Sequence, residues 1–229
     1  MNSALSIVNL EKKYGKQEIL RGIDLEILKS SIYALLGPNG SGKTTLLKSI
    51  LGIVKPSFVD VLAVDLSTVG YMPQQPNFPQ NMRVFELLDL IIILRKKPAI
   101  YLDYLLTKLD VGNFYKKFIR ELSGGMKQKV NIVQAFMFEQ SLFLLDEPTL
   151  GLDPHQTYVL KGLIKERRYS GATVVFSSHI MSEVEELSDV VALIVEGEIY
   201  LKNSPDTIKA MGNFKTLEEA LHNFWDEKI

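Results

Sequence analysis

The chain has 229 residues, of which 46% are hydrophobic and 23% charged, a balance that supports a substantial buried core and excludes a disordered polymer. A formal net charge of -1 and a pI near 6.3 exclude a strong overall field toward nucleic acid or an anionic bilayer, while a local basic patch stays possible. Cysteine is absent, which excludes disulfides and thiolate catalysis and fits a reducing compartment.

The opening MNSALSIVNLEKKYG lacks the charged-then-apolar pattern of a signal peptide. No apolar run nears the roughly 20 residues that cross a bilayer; the longest, Leu87 to Leu94, is short and carries Asp89. Any membrane role is therefore expected to come through a partner. Leu5 to Leu10 and Ile19 to Leu28 are apolar-rich runs separated by Tyr14-Gly15, which predicts a small antiparallel sheet. Ile32 to Leu36 is a compact apolar strand ending in Gly-Pro-Asn-Gly, and Thr44 to Leu51 has helical character. Val84, Leu87, Leu88, Ile91 and Ile92 fall on one helical face of residues 84–95, with Glu86 and Asp89 off it. Another helix is expected after Gly124. Leu142 to Leu145 is a buried strand that stops at Asp146-Glu147, and Asp153-Pro154 supplies the N-cap and first-turn proline of a helix ending near Gly171. Thr173 to Ser177 is a third strand, ending before His179. Val190 to Val195, Glu196-Gly197 and Glu198 to Leu201 read as a hairpin, and Thr216 with Glu219 as the capping box of a last helix. Strands alternating with helices predict an α/β fold with a mainly parallel, helix-covered sheet. There is no internal repeat and no low-complexity linker.

GPNGSGKT at 37–44 matches G-x-x-x-x-G-K-[ST] between a strand and a helix. Gly37, Gly40 and Gly42 let the backbone turn tightly and aim amide hydrogens inward, with Pro38, Asn39 and Ser41 completing the loop. Lys43 places a cation on the outer phosphates, Thr44 offers a hydroxyl to magnesium, and Thr45 continues the helix whose positive end favours an anion. This loop alone specifies nucleotide binding and leaves kinases, GTPases and ATPases open. Asp146 and Glu147 stand at the carboxyl end of a central strand, where ligands of open α/β sheets bind. Asp146 is expected to hold magnesium or its waters. Glu147 is placed to accept a proton from an attacking water; the alternative is a solvated pair at a strand end. His179 is placed to hydrogen-bond a γ-phosphate as a neutral imidazole, whereas His155 and His222 have no such placement and read as structural.

LSGGM at 122–126 joins this loop, the LFLLDEPT segment at 142–149 and His179 in one order, and in this the sequence resembles an ABC ATPase over nearly its whole length. The resemblance implies a single domain, 1–229, with the phosphate-loop NTPase fold: a RecA-like core from 1–75 and 139–229, an N-terminal antiparallel β subdomain, and an inserted helical subdomain at about 76–138. It implies that Leu122, Ser123, Gly124, Gly125 and Met126 close over ATP bound to the phosphate loop of a second chain paired head to tail. Tyr14 resembles the aromatic that stacks on adenine. Gln74 resembles the glutamine that contacts magnesium or the attacking water, and Asp153 the aspartate that communicates across the dimer. Two departures stand out. Leu150 replaces a usually small or polar residue, and the segment between Lys55-Pro56 and Gln74 is short, with Ser57, Phe58, Val59 and Asp60 where a glycine turn is usual, which predicts a trimmed hairpin.

The implied cofactors are ATP and Mg2+. The implied partners are a second ATPase subunit, a homodimer before a heterodimer, and a multi-span membrane permease that would hold the chain at the cytoplasmic face of the membrane; no nucleic acid is expected. The short chain and the ending near TLEEAL resemble the ABC-2-type export branch. The apolar face of 84–95 reads first as core and second as a permease contact. A soluble ABC ATPase serving the ribosome, DNA or iron-sulfur assembly is the alternative, and an unrelated phosphate-loop kinase leaves Ser123 to Gly125 and His179 unexplained.

Overall fold

The computed structural model describes residues 3–226. Two sheets organise them. In the first, β1 (Ser3–Tyr14) pairs antiparallel with β2 (Gln17–Leu28) and β4 (Val61–Ala63), in the order β2-β1-β4. The second has six strands in the order β5-β6-β7-β3-β8-β9: β3 (Ile32–Leu36), β5 (Val69–Met72), β6 (Leu142–Asp146), β7 (Thr173–Ser178), β8 (Val190–Val195) and β9 (Glu198–Asn203). All its neighbours are parallel except β8 and β9, the expected hairpin.

Every residue of β3, β6 and β7 is buried, as continuous apolar runs require when both faces of a parallel sheet are covered. Because strand side chains alternate, these strands feed two cores. Ile32, Ala34, Leu36, Phe143 and Leu145 pack with the helices on one face. Tyr33, Leu35, Leu142 and Leu144 pack on the other face with β1, β2 and the helix α1 (Lys43–Ile50).

Between β5 and β6 the chain builds α2 (Val84–Arg95), α3 (Leu102–Lys108) and α4 (Gly124–Phe136). The Glu86 carboxylate accepts the Arg83 N–H at 2.8 Å, which ties down the start of α2. Val84, Leu87 and Leu88 are buried and Ile91 and Ile92 pack against the same core, so the predicted apolar face is a core face. Leu90, Ile93 and Leu94 are exposed on the other side. After β6 come α5 (Pro154–Tyr169), α6 (Met181–Leu187), α7 (Pro205–Ala210) and α8 (Leu217–Asp226). No described helix is long and apolar enough to cross a membrane.

The trimmed hairpin expected before Gln74 does not form. Instead the three residues of β4 join the free edge of β1, Asp65 accepts the Ser67 N–H at 3.0 Å to turn the chain, and β5 enters the other sheet. The open edge of β1 offers backbone partners that a local hairpin would have had to supply itself. The final capping box is also half as expected: Thr216 accepts the Glu219 N–H at 3.1 Å, but the Glu219 carboxylate reaches the N–H of Lys215 at 2.9 Å, one residue early.

Candidate active site

Strand β3 delivers Gly37 to a crowded position, where a Cβ would lie 2.2 Å from the Ile194 carbonyl oxygen. Gly42 combines a left-handed φ of 107° with a Cβ position 2.7 Å from Leu20, so only glycine closes the loop there. The loop then enters α1 at Lys43. The Lys43 ammonium is buried and donates to the carbonyls of Gly37 at 2.7 Å and Pro38 at 3.0 Å, with the Glu147 carboxylate 4.0 Å away. Burial pulls its pKa below the ordinary lysine value, opposed by Glu147 and Asp146. The Ser41 N–H donates to Pro38 at 3.2 Å, while the buried Ser41 hydroxyl oxygen has no hydrogen-bond partner among the described residues.

Asp146 ends β6 beneath this loop. Its Oδ1 accepts from the Thr44 hydroxyl at 2.9 Å and the Ser177 hydroxyl at 2.7 Å. Its Oδ2 is buried and bonded to nothing described. Glu147 follows in the left-handed region, φ 46°, with its N–H donated to Ser177 Oγ at 2.8 Å. The kink brings Glu147 Oε2 to 2.9 Å from His179 Nδ1. With Glu147 ionised, that nitrogen is the donor, so a neutral imidazole keeps only a lone pair at Nε2 and only an imidazolium donates from both sides. The neutral-imidazole donor expected at a phosphate therefore requires the Glu147 contact to be released. Tyr71, on the neighbouring strand β5, has its hydroxyl pushed up to about 12, by burial first and the Asp146 charge second.

Asn39, Gly40, Gly42, Lys43, Thr44 and Thr45 line one cavity of about 380 Å³ together with Gln74, Glu147 and Ile19. The chain thus brings the phosphate loop, Gln74 and Glu147 together, with Asp146 and His179 bonded to members of the group. Ile19 was not anticipated; nothing in its sequence setting marks it, because its place follows from β2 crossing the loop. Tyr14 does not line the cavity. It is exposed at the end of β1, its ring 4.7 Å from the Lys12 ammonium. Gln75, the next residue along the chain, does not line it.

The signature residues stand apart. Ser123 caps α4, its hydroxyl accepting the Met126 N–H at 3.3 Å, with Ser123 and Gly124 exposed and Leu122 buried. None of residues 122–126 lines the cavity. Asp153 caps α5, accepting the Gln156 N–H at 2.8 Å, beside exposed Leu150. Two sets of polar residues escaped sequence reasoning. Ser177 is one. The other is a ladder on α4: Gln134 donates to the Tyr71 carbonyl at 2.8 Å and Asn131 to the Pro73 carbonyl at 2.9 Å and to Gln128 at 3.2 Å. Their signal is the three-residue spacing of polar side chains on a helix face that is otherwise buried.

Among the described residues no cluster of three His, Cys, Asp or Glu could hold a metal unaided. The unpartnered Oδ2 of Asp146 beside the Thr44 hydroxyl nevertheless fits a magnesium ion, which takes one or two protein oxygens and completes its shell with phosphate and water.

A protein-family model for the ABC transporter matches residues 20–150. The chain is 34% identical over 226 residues to the lantibiotic transport ATP-binding protein SrtF of Streptococcus pyogenes, with 96% of each chain covered. It is 33% identical over 238 residues to the bacitracin transport ATP-binding protein BcrA of Bacillus licheniformis, covering 96% of this chain and 76% of that one. Among solved structures, an ATP-binding subunit of an ABC transporter superposes with a TM-score of 0.89 at 27% identity, over 96% of this chain and 99% of that one. These relatives are transport subunits, so the soluble alternative is set aside. The chain belongs to the ABC transporter family, among its ATP-binding subunits.

Proposed function

We propose that this chain binds ATP with Mg2+ and hydrolyses it in a head-to-tail dimer, and that the cycle drives export through a separate membrane-spanning permease. The observation that carries the reading is the convergence of Lys43, Thr44, Gln74 and Glu147 on one cavity that lacks the signature. Lys43 would exchange its two loop carbonyls for phosphate oxygens, and the amides of residues 37–45 would surround them. Asp146, Thr44 and Gln74 would hold magnesium, which neutralises charge on the phosphates. Glu147 would take the proton of the attacking water, a step worth about 10² to 10⁴ in rate. His179, released from Glu147, would meet the γ-phosphate. Tyr14 would stack on adenine from outside the cavity lining, in a pose its exposure permits.

Residues 122–126 of a second copy would complete the site, with Asp153 signalling between the two. A homodimer is favoured because every hydrolytic residue is present in this chain. In this division residues 1–75 and 139–229 form the core and about 76–138 the helical subdomain. Export is the direction suggested by relatives named for lantibiotic and bacitracin transport, as is the ABC-2-type branch, and docking on the permease would place the chain at the cytoplasmic membrane face. The substrate is selected by the permease. Glu147→Gln tests the reading: ATP binding should persist, turnover should fall about 10²-fold or more, and a closed dimer should accumulate on size-exclusion chromatography with ATP. Hydrolysis at the wild-type rate would remove Glu147 as the base.

A further inference from the structure

Ser177 touches both acids of the site. It is wholly buried near the end of β7, in register beside Asp146 of β6. The Glu147 amide can only donate, so Ser177 Oγ accepts from it at 2.8 Å and spends its single proton on Asp146 Oδ1 at 2.7 Å. The direction of both bonds is therefore settled. Thr44 supplies a second hydroxyl to the same Oδ1. Two donors pin that oxygen, and Oδ2 is left over as the unbonded one. Glu147, meanwhile, is a Cβ-bearing residue held at φ 46°, a left-handed conformation that is strained and must be held by its surroundings. The bond to Ser177 is one such hold, and the kink directs the Glu147 carboxylate between Lys43 and His179.

Packing does not call for a hydroxyl here. Val175, two residues back and on the same strand face, is an apolar member of the core. A buried hydroxyl is favourable only where it is fully bonded, and its two bonds go to the two acids.

We propose that Ser177 is a positioning residue for ATP hydrolysis, a buried hydroxyl that selects which oxygen of Asp146 faces the magnesium ion and where the Glu147 carboxylate points. The inference rests on the proposed roles of Asp146 and Glu147. It differs from them in predicting that removing a group which touches neither nucleotide nor metal changes the metal requirement of the reaction.

The experiment compares wild type, Ser177→Ala, Ser177→Cys, Ser177→Thr and Glu147→Gln, reading ATP turnover against free Mg2+ and nucleotide affinity by titration without Mg2+. Ser177→Ala should lose about 10- to 100-fold in kcat, the worth of a hydrogen bond to a charged group, and should need several-fold more Mg2+ for half its maximal rate. Its Mg2+-free nucleotide affinity should stay within about threefold of wild type, since Lys43 and the loop are untouched. Ser177→Cys, close in volume but a weak donor, should behave similarly and carries the test if the alanine variant fails to fold. Ser177→Thr keeps the hydroxyl and should recover most of both losses. An unaltered Mg2+ requirement, or a threonine variant no better than alanine, overturns the proposal. Failure of the underlying functional reading looks different: Glu147→Gln would then turn over ATP like wild type.

Discussion

Burial lowers the pKa of the Lys43 ammonium from its ordinary 10.5, and the carboxylates of Glu147 and Asp146 oppose the shift without cancelling it. The sign for stability follows. A lysine with a lower pKa in the folded than in the unfolded chain binds fewer protons when folded, so stability rises with pH between the folded pKa and 10.5. Below the folded pKa the penalty is present in full. Lys43 is therefore a buried cation carried at some cost to the fold, a cost that its proposed contact with phosphate would explain. Lys43→Met should abolish nucleotide binding and raise the thermal midpoint of the nucleotide-free protein at neutral pH, with the gain shrinking as pH approaches 10.5. A lowered midpoint at neutral pH would show that the bonds to Gly37 and Pro38 outweigh the desolvation.

At the scale of elements, α4 is fastened to the strand that leads into Gln74 by side chains rather than by apolar contact alone. Asn131 is fully buried, and its amide reaches the Pro73 carbonyl one residue before Gln74. Since α4 begins at the signature, this ladder connects Gln74 to Ser123 through one rigid helix. Asn131→Leu should destabilise the fold by about 1–3 kcal/mol, the cost of removing a fully buried amide's bond to the part-buried Pro73 carbonyl, measured by urea unfolding. It should also speed amide exchange in residues 71–75 relative to β6; equal protection would mean the ladder does not hold that segment. The same element shows what a sequence can disclose. Burial of Val84, Leu87 and Leu88, the helix start near Gly124, the cap at Asp153, and the loop at 37–44 were legible because each depends on neighbours within a turn or two of chain. The short helices α3 and α7 carry too few turns for a periodic signal. The edge pairing of β4 and the bridging role of Ser177 depend on partners far away in the chain. β1 was read short because its register shifts, with Asn9 at φ 51°, break the alternation that marks a strand.

For the whole molecule, the decisive fact is that the two helix starts proposed to meet the nucleotide stand apart: Lys43 opens α1 inside the cavity, while Ser123 caps α4 at an exposed surface. A single nucleotide within one chain cannot use both. The proposed head-to-tail pairing of two copies would resolve this by giving each cavity the other chain's signature, and it predicts a specific pattern of complementation. Ser123→Arg should bind ATP as a monomer with near wild-type affinity, because its own cavity is intact, yet fail to hydrolyse it or to form the ATP-dependent dimer. Lys43→Met should fail for the opposite reason. Mixed together, the two inactive chains pair so that one composite site joins the intact cavity of the Ser123→Arg chain to the intact signature of the Lys43→Met chain, while the other site collects both lesions. With Glu147→Gln added to both chains so that hydrolysis cannot reopen the dimer, nucleotide trapped in the mixed dimer should therefore approach one per dimer, against two for the Glu147→Gln homodimer, and should be held by the Ser123→Arg chain. Trapping by the Lys43→Met chain, or by Ser123→Arg alone, would contradict the pairing, because each would require a chain to close its signature over its own phosphate loop.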